Sequence, residues 1–251
     1  PRLSLHFFEA GEHDKAWGYG VAAADRAREM YANVDAAELY ERALDTAAHL
    51  TPAADEVARV AEALGDVSEL AARYDRADAA YEEARALVDP KSTAGSRLLQ
   101  KRGVICERRG AYDDGLAFYA SALEQFDDGA EELGTRAQIE LAYAGVRYRQ
   151  GEYVDAIDWS TRAAGHAERA GARDALAHAY YLLGVARLQT GERESTFLDL
   201  ALPIFEEMGD VAGVGNVLNN LGIAAYYEGR WNEAVDFYRR GEDAQRRAGN
   251  V

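Results

Sequence analysis

The chain has 251 residues, with 28 Lys and Arg against 44 Asp and Glu, and so a formal net charge of −16 at pH 7. Nucleic acid and anionic membrane surfaces are bound through clustered Lys and Arg, so neither is expected as a partner. The one cysteine, Cys106, excludes an intramolecular disulfide framework and a multi-cysteine metal site. Taken in chain order, the apolar periodicity predicts a short helical remnant at 2–10. Helices follow at about 13–31, 33–50, 53–71, 74–89, 92–109, 112–127, 130–150, 153–170, 172–190, 194–208, 210–228 and 231–248. Thr51-Pro52 has the composition of an N-cap and first-turn pair, Asp89-Pro90 that of a hairpin end, and Ser92 that of the next N-cap. Pro203 lies inside the helix at 194–208 and predicts a kink there, because it removes a backbone donor. No linker is long enough to separate domains. The expected organisation is one array over 1–251, with 1–52 a divergent N-terminal hairpin and clearer repeats over 53–251.

The repeat shows in the turns. Gly110-Ala111-Tyr112, Gly151-Glu152-Tyr153 and Gly229-Arg230-Trp231 share a Gly-x-aromatic form; Gly191-Glu192-Arg193 and Gly11-Glu12-His13 are weaker copies, and Ala72-Arg73-Tyr74 lacks the glycine. From Ala72 onward the turns are 38, 41, 40 and 38 residues apart. A small residue precedes each turn at Gly65, Gly103, Ala144, Gly184 and Gly222, and another follows at Ala77, Gly115, Ala156 and Ala234. An aromatic comes four residues later at Tyr81, Tyr119 and Tyr238. The same count places Ser160 at that position in one hairpin, and Thr196 and Leu200 at the two positions in the next. Two helices crossing closely need a small side chain opposite a large one. Glycine at the turn supplies the positive φ that ends a helix.

These residues resemble the tetratricopeptide pattern Leu-Gly-x2-Tyr followed by Ala-x3-Phe. The resemblance covers roughly 53–250, and its longer period is similar to that of large bacterial ATP-dependent regulators. It implies an all-α, right-handed superhelical solenoid of about six helix–turn–helix hairpins. The N-terminal stretch LSLHFFEAGEHDKAWGYGVAAADRAREMYANVDAAELYERAL resembles the segment after the ATPase module in bacterial nucleotide cyclases with a tetratricopeptide tail. It is also similar to the matching region of MalT-like and LuxR-type regulators. The implied function is a protein–protein interaction or scaffold module, the regulatory arm of a larger signalling ATPase or cyclase. The start at Pro1 and the stop just after a helix suggest a segment of a longer protein. With no signal peptide and no long apolar run, the expected compartment is the cytoplasm.

No catalytic chemistry is legible. Lys91-Ser92-Thr93 follows Val88-Asp89-Pro90 rather than glycines, so it predicts a capped helix start and not a phosphate loop. His6 and His13 lie near Glu9, Glu12 and Asp14, but Gly11 breaks the helix that would align them. His49, His166 and His178 are scattered, and pairs such as Glu82-Glu83, Asp113-Asp114 and Glu131-Glu132 suit solvated helix faces. No enzyme, cofactor or metal is expected. Arg239, Arg240, Arg246 and Arg247 serve either the dipole of the last helix or an acidic partner.

In the tetratricopeptide pattern the first helix of each hairpin lines a groove. Counting Gly222 as position 8, the groove-facing residues of the last hairpin are Asn216, Asn219, Asn220, Ile223, Tyr226 and Tyr227. The same count gives His178, Tyr181 and Gln189 in the hairpin before it, then Gln138 and Arg149. Asparagine offers donors and an acceptor together, which suits an extended peptide backbone. The competing reading is hydrogen bonding between helices. An alternative function is self-association through the array ends, around Trp231, Val235 and Tyr238 or around Leu5 and Phe8.

Overall fold

The computed structural model describes residues 2–126, 132–192 and 194–249. The expected helix ends at 127 and 130, and the motif residues Glu131 and Arg193, lie outside them. Thirteen helices and no strand occur among the described residues: α1 (Arg2–Glu9), α2 (His13–Glu29), α3 (Asn33–Ala47), α4 (Ala54–Leu70), α5 (Tyr74–Arg85), α6 (Thr93–Arg108), α7 (Tyr112–Leu123), α8 (Leu133–Gln150), α9 (Tyr153–Ala170), α10 (Arg173–Gln189), α11 (Thr196–Met208), α12 (Val211–Tyr227) and α13 (Trp231–Arg247). They form two compact units, Pro1–Phe126 and Asp127–Val251. The first holds α1 and the hairpins α2/α3, α4/α5 and α6/α7. The second holds α8/α9, α10/α11 and α12/α13. The all-α hairpin repeat expected from the sequence is therefore present in both. Within each unit the second helix of one hairpin packs on the first helix of the next, as α3 does on α4 and α9 on α10.

The turns show why the sequence folds this way. The residue that closes each hairpin has positive φ: Tyr31 (57°), Ala72 (56°), Gly110 (75°), Gly151 (83°), Gly191 (92°) and Gly229 (77°). Tyr31 is the turn of the first hairpin and carries no glycine signal, so the sequence pattern passes over it. An L side chain in this region costs roughly 1–2 kcal/mol, which the packing of the two helices has to outweigh.

Each close crossing joins a small residue to a large one. A Cβ on Gly222 would lie 2.6 Å from Cε1 of Tyr238, and Gly65 and Gly103 stand in the same relation to Tyr81 and Tyr119. Tyr81 and Tyr119 are fully buried, as are Ala24 and Tyr40 in the first hairpin. A buried phenol needs a partner. In the first unit each finds a carboxylate on the first helix of its own hairpin. Tyr40 donates to Asp25 at 2.6 Å, Tyr81 to Asp66 at 3.0 Å, and Tyr119 to Glu107. Burial, then the Asp25 hydrogen bond and charge, pushes the Tyr40 phenol up to about 12. The α8/α9 crossing is the exception, with a small residue on both sides: Ala144 takes the glycine position, Ser160 takes the tyrosine position, and both are fully buried.

Two local expectations need correction. Thr51 and Pro52 do not cap α4: its N-cap is Ala53, extended at φ −62° and ψ 136°, with no side-chain hydrogen bond. Asp55 and Glu56 in the first turn supply the favourable charge there instead. In α10/α11 the residue beneath Gly184 is Leu198, whose Cγ would lie 2.7 Å from an added Cβ, and not Leu200, which is 45% exposed. The cause is the connection. α11 begins only at Thr196, so the turn of helix that holds the small residue in other hairpins is missing, and Leu198 sits in the first turn. Thr196, the first residue of α11, is exposed. α11 continues through Pro203 as one helix. Ser92 caps α6 as expected, accepting from the Gly95 N–H at 3.1 Å.

Candidate functional site

The second unit presents the candidate site on its first-of-hairpin helices α8, α10 and α12. Successive members of this set touch directly, α8 with α10 and α10 with α12. Two hydrogen bonds tie them. Asn220 of α12 donates to the Tyr181 hydroxyl of α10 at 3.4 Å, and Gln189 of α10 hydrogen-bonds the Tyr148 hydroxyl of α8. Tyr148 and Tyr181 are partly buried against the core that contains Leu182, Val185 and Leu221. Burial pushes both phenols above their ordinary range, and for Tyr181 the neighbouring Tyr148 adds to it.

The predicted residues divide by environment. Asn216 and Asn219 are exposed, while Asn220 and Ile223 are half-buried. Asn220 also donates to the Asn216 carbonyl at 2.9 Å, so its amide is engaged both on its own helix and on α10. Tyr226 is 51% exposed and Tyr227 62%, with Tyr226 packed edge-on to Trp231 at 4.9 Å and to Tyr227 at 5.7 Å. Two large rings thus remain more than half exposed while held against each other, which leaves contact area at little rotamer cost. Gln138, Arg149 and Gln189 are exposed. His178 is turned toward its own hairpin: its ring meets Phe205 of α11 edge-on at 5.0 Å, and Nε2 lies 3.5 Å from Asp174. The structure thus joins Tyr181, Gln189 and Asn220 through the helix contacts and groups Tyr226 with Tyr227. His178 packs edge-on against Phe205 of its own hairpin while its side chain stays 44% exposed. Tyr148 and Trp231 complete the surface. Tyr148 falls at position 12 by the same count as Tyr226, so the pattern contained it; Trp231 comes from the next helix and was not legible as a groove residue.

In the first unit the corresponding helices α2, α4 and α6 carry charges that neutralise each other from helix to helix. Arg59 pairs with Asp25 at 3.6 Å, Arg28 with Asp66 at 3.8 Å, Arg97 with Glu62 at 2.9 Å, and Arg108 with Glu69 at 3.5 Å. A separate cleft of about 500 Å³, which sequence reasoning did not find, lies along α2 and α3 beside Leu3, Tyr19, Met30 and Leu39. Elsewhere, His13 stacks on His49 with ring centroids 5.0 Å apart. No three His, Cys, Asp or Glu side chains converge among the described residues so as to hold a metal ion. Two of the arginines of α13 have carboxylate partners on the same helix: Arg240 with Asp236 at 3.7 Å and Arg246 with Glu242 at 2.6 Å. No helix among the described residues is long and apolar enough to cross a membrane.

No protein-family model and no curated protein matches the sequence. Solved structures do match. The chain is similar to BtubC from P. vanneervenii, at 18% identity and a TM-score of 0.70, over 94% of this chain and 93% of that one. It is similar to the apo form of RapI at 13% identity and a TM-score of 0.67, over 99% and 97% of the two chains. A Rap protein complexed with competence and sporulation factor matches at 19% identity and a TM-score of 0.61, over 96% of this chain and 74% of that one. At these identities the likeness concerns the fold, which is a helical repeat of the tetratricopeptide type.

Proposed function

We propose that this chain is a protein-interaction module that binds an extended protein segment across α10 and α12, and that it serves as the regulatory arm of a larger signalling ATPase or nucleotide cyclase. The observation that carries the binding role is the exposed strip of amides and aromatics on α12: Asn216, Asn219, Tyr226 and Tyr227. Amides pair with a peptide backbone, and tyrosines cover its side chains. Asn220, Tyr181, Gln189 and Tyr148 hold the three helices beneath that strip in place. Such a preformed surface lowers the ordering cost of binding. The similarity to a Rap protein complexed with competence and sporulation factor agrees with a segment ligand. The link to an ATPase or cyclase rests on the N-terminal sequence resemblance.

Two variants separate recognition from scaffold. Asn216→Ala with Asn219→Ala should leave the melting temperature near normal and abolish capture of protein from cell lysate. Each lost hydrogen bond weakens binding by about 0.5–1.5 kcal/mol. Asn220→Ala should lower the melting temperature instead. A double variant that melts early yet captures normally would assign Asn216 and Asn219 to the scaffold and remove the proposal's support.

A second reading is self-association. On α13, Trp231 is 59% exposed, Val235 47% and Tyr238 37%, on one apolar stripe. A particle mass that rises with concentration, and stops rising in Trp231→Glu, supports this role; a constant mass rejects it.

A further inference from the structure

The two units differ in the charge of their first-of-hairpin helices, and the difference specifies the ligand. In the first unit, Glu62, Asp66, Arg97 and Lys101 form a cross-helix ion-pair cluster between α4 and α6. At the groove positions of α8, α10 and α12, Arg149 is the only residue of permanent charge, and the rest are Gln, Asn, Tyr, His, Ile and other neutral residues. Three carboxylates at the hairpin ends of this unit are matched locally by arginines, and Asp174, at the start of α10, lies 3.5 Å from His178. Arg147 lies 3.6 Å from Asp155, Arg187 lies 2.8 Å from Glu192, and Arg230 lies 2.6 Å from Glu228. Beyond the first turn of α10, a charged side chain laid on the groove positions of α10 and α12 would lose water and meet no opposite charge in return, which is unfavourable. The chain's net charge of −16 does not substitute for a local partner, because at physiological salt its field decays over about 8 Å.

We infer that the segment bound across α10 and α12 is uncharged along the stretch it lays on them. It is an extended polar-amide and apolar sequence, recognised by its backbone and by its neutral side chains. The inference rests on the groove proposed above. Asn216 and Asn219 exchange hydrogen bonds with the segment's backbone, while Ile223, Tyr226 and Tyr227 cover its apolar side chains. Binding of this kind is insensitive to salt.

The test uses the full chain and a pool of random heptapeptides, N-acetylated and C-amidated so that their ends carry no charge. Peptides retained by the chain are sequenced, and the Asn216→Ala/Asn219→Ala variant serves as the control. The expected result is a retained set depleted in Asp, Glu, Lys and Arg at its fixed positions, with an affinity that changes less than about twofold between about 0.1 M and about 0.5 M salt. Introducing a charge by Asn219→Asp should shift the retained set toward Lys and Arg. A set from the unaltered chain with a fixed Lys, Arg, Asp or Glu, and an affinity that falls about tenfold over the same salt range, overturns this inference and leaves the groove standing. Retention that is equal in the double-alanine control overturns the groove itself, and the inference with it.

Discussion

A methyl group on Gly222 would lie 2.6 Å from Cε1 of Tyr238, while the ring that faces Gly65 belongs to the fully buried Tyr81. The geometry is shared, but the freedom to respond is not. Tyr238 is 37% exposed and its ring has room to move outward. Tyr81 is fixed by core on all sides and by its hydrogen bond to Asp66 at 3.0 Å. Alanine in place of helical glycine gains about 1 kcal/mol of propensity, whereas overpacking costs about 1–3 kcal/mol. Gly222→Ala should therefore be near neutral and Gly65→Ala clearly destabilising. Chemical denaturation of both variants checks this, and equal losses would contradict the difference in ring freedom.

The packing of α10 on α11 makes a second contrast. Leu198 is fully buried beneath Gly184, whereas Leu200 is 45% exposed. Leu198→Ala should lose about 2–5 kcal/mol through lost burial and the cavity left behind, and Leu200→Ala should stay within about 0.5 kcal/mol of the unaltered chain. The reverse order in thermal melts would restore the register that the motif count alone implies.

Acid should weaken the joint between α4 and α6. Burial raises the Glu62 carboxyl, but hydrogen bonds from Arg97 and Lys101 together with their charges outweigh it and hold the group down to about 2. A lowered folded-state value means stability that is present above the ordinary carboxylate range and is lost as pH falls through it toward the folded value. Unfolding of the chain and of Glu62→Gln should therefore differ by on the order of 2 kcal/mol at neutral pH. The difference should shrink between about pH 4.5 and about pH 2. A difference that stays constant over that range would show that the ion pair does not carry it.

The sequence alone determined the helical class, the hairpin order and most close crossings. Those properties are local: apolar spacing along a helix and a Gly or small residue one fixed interval from an aromatic need no knowledge of distant contacts. Ser92 was legible as a cap for the same reason, since its partner, the Gly95 N–H, is three residues away. The turn at Tyr31 was not legible, because its positive φ is imposed by the packing of α2 on α3 and not by the residue itself. The shift from Leu200 to Leu198 was hidden in the length of the connection, which sequence spacing assumed to be uniform. For the candidate site, sequence placed Asn216, Asn219 and Asn220 on one helix but gave them equal standing. Only the tertiary structure separated them, because the partner of Asn220 is Tyr181, thirty-nine residues away on α10. A side chain's exposure and its hydrogen bonds depend on which helices stand beside it, and that is decided by the packing of whole hairpins.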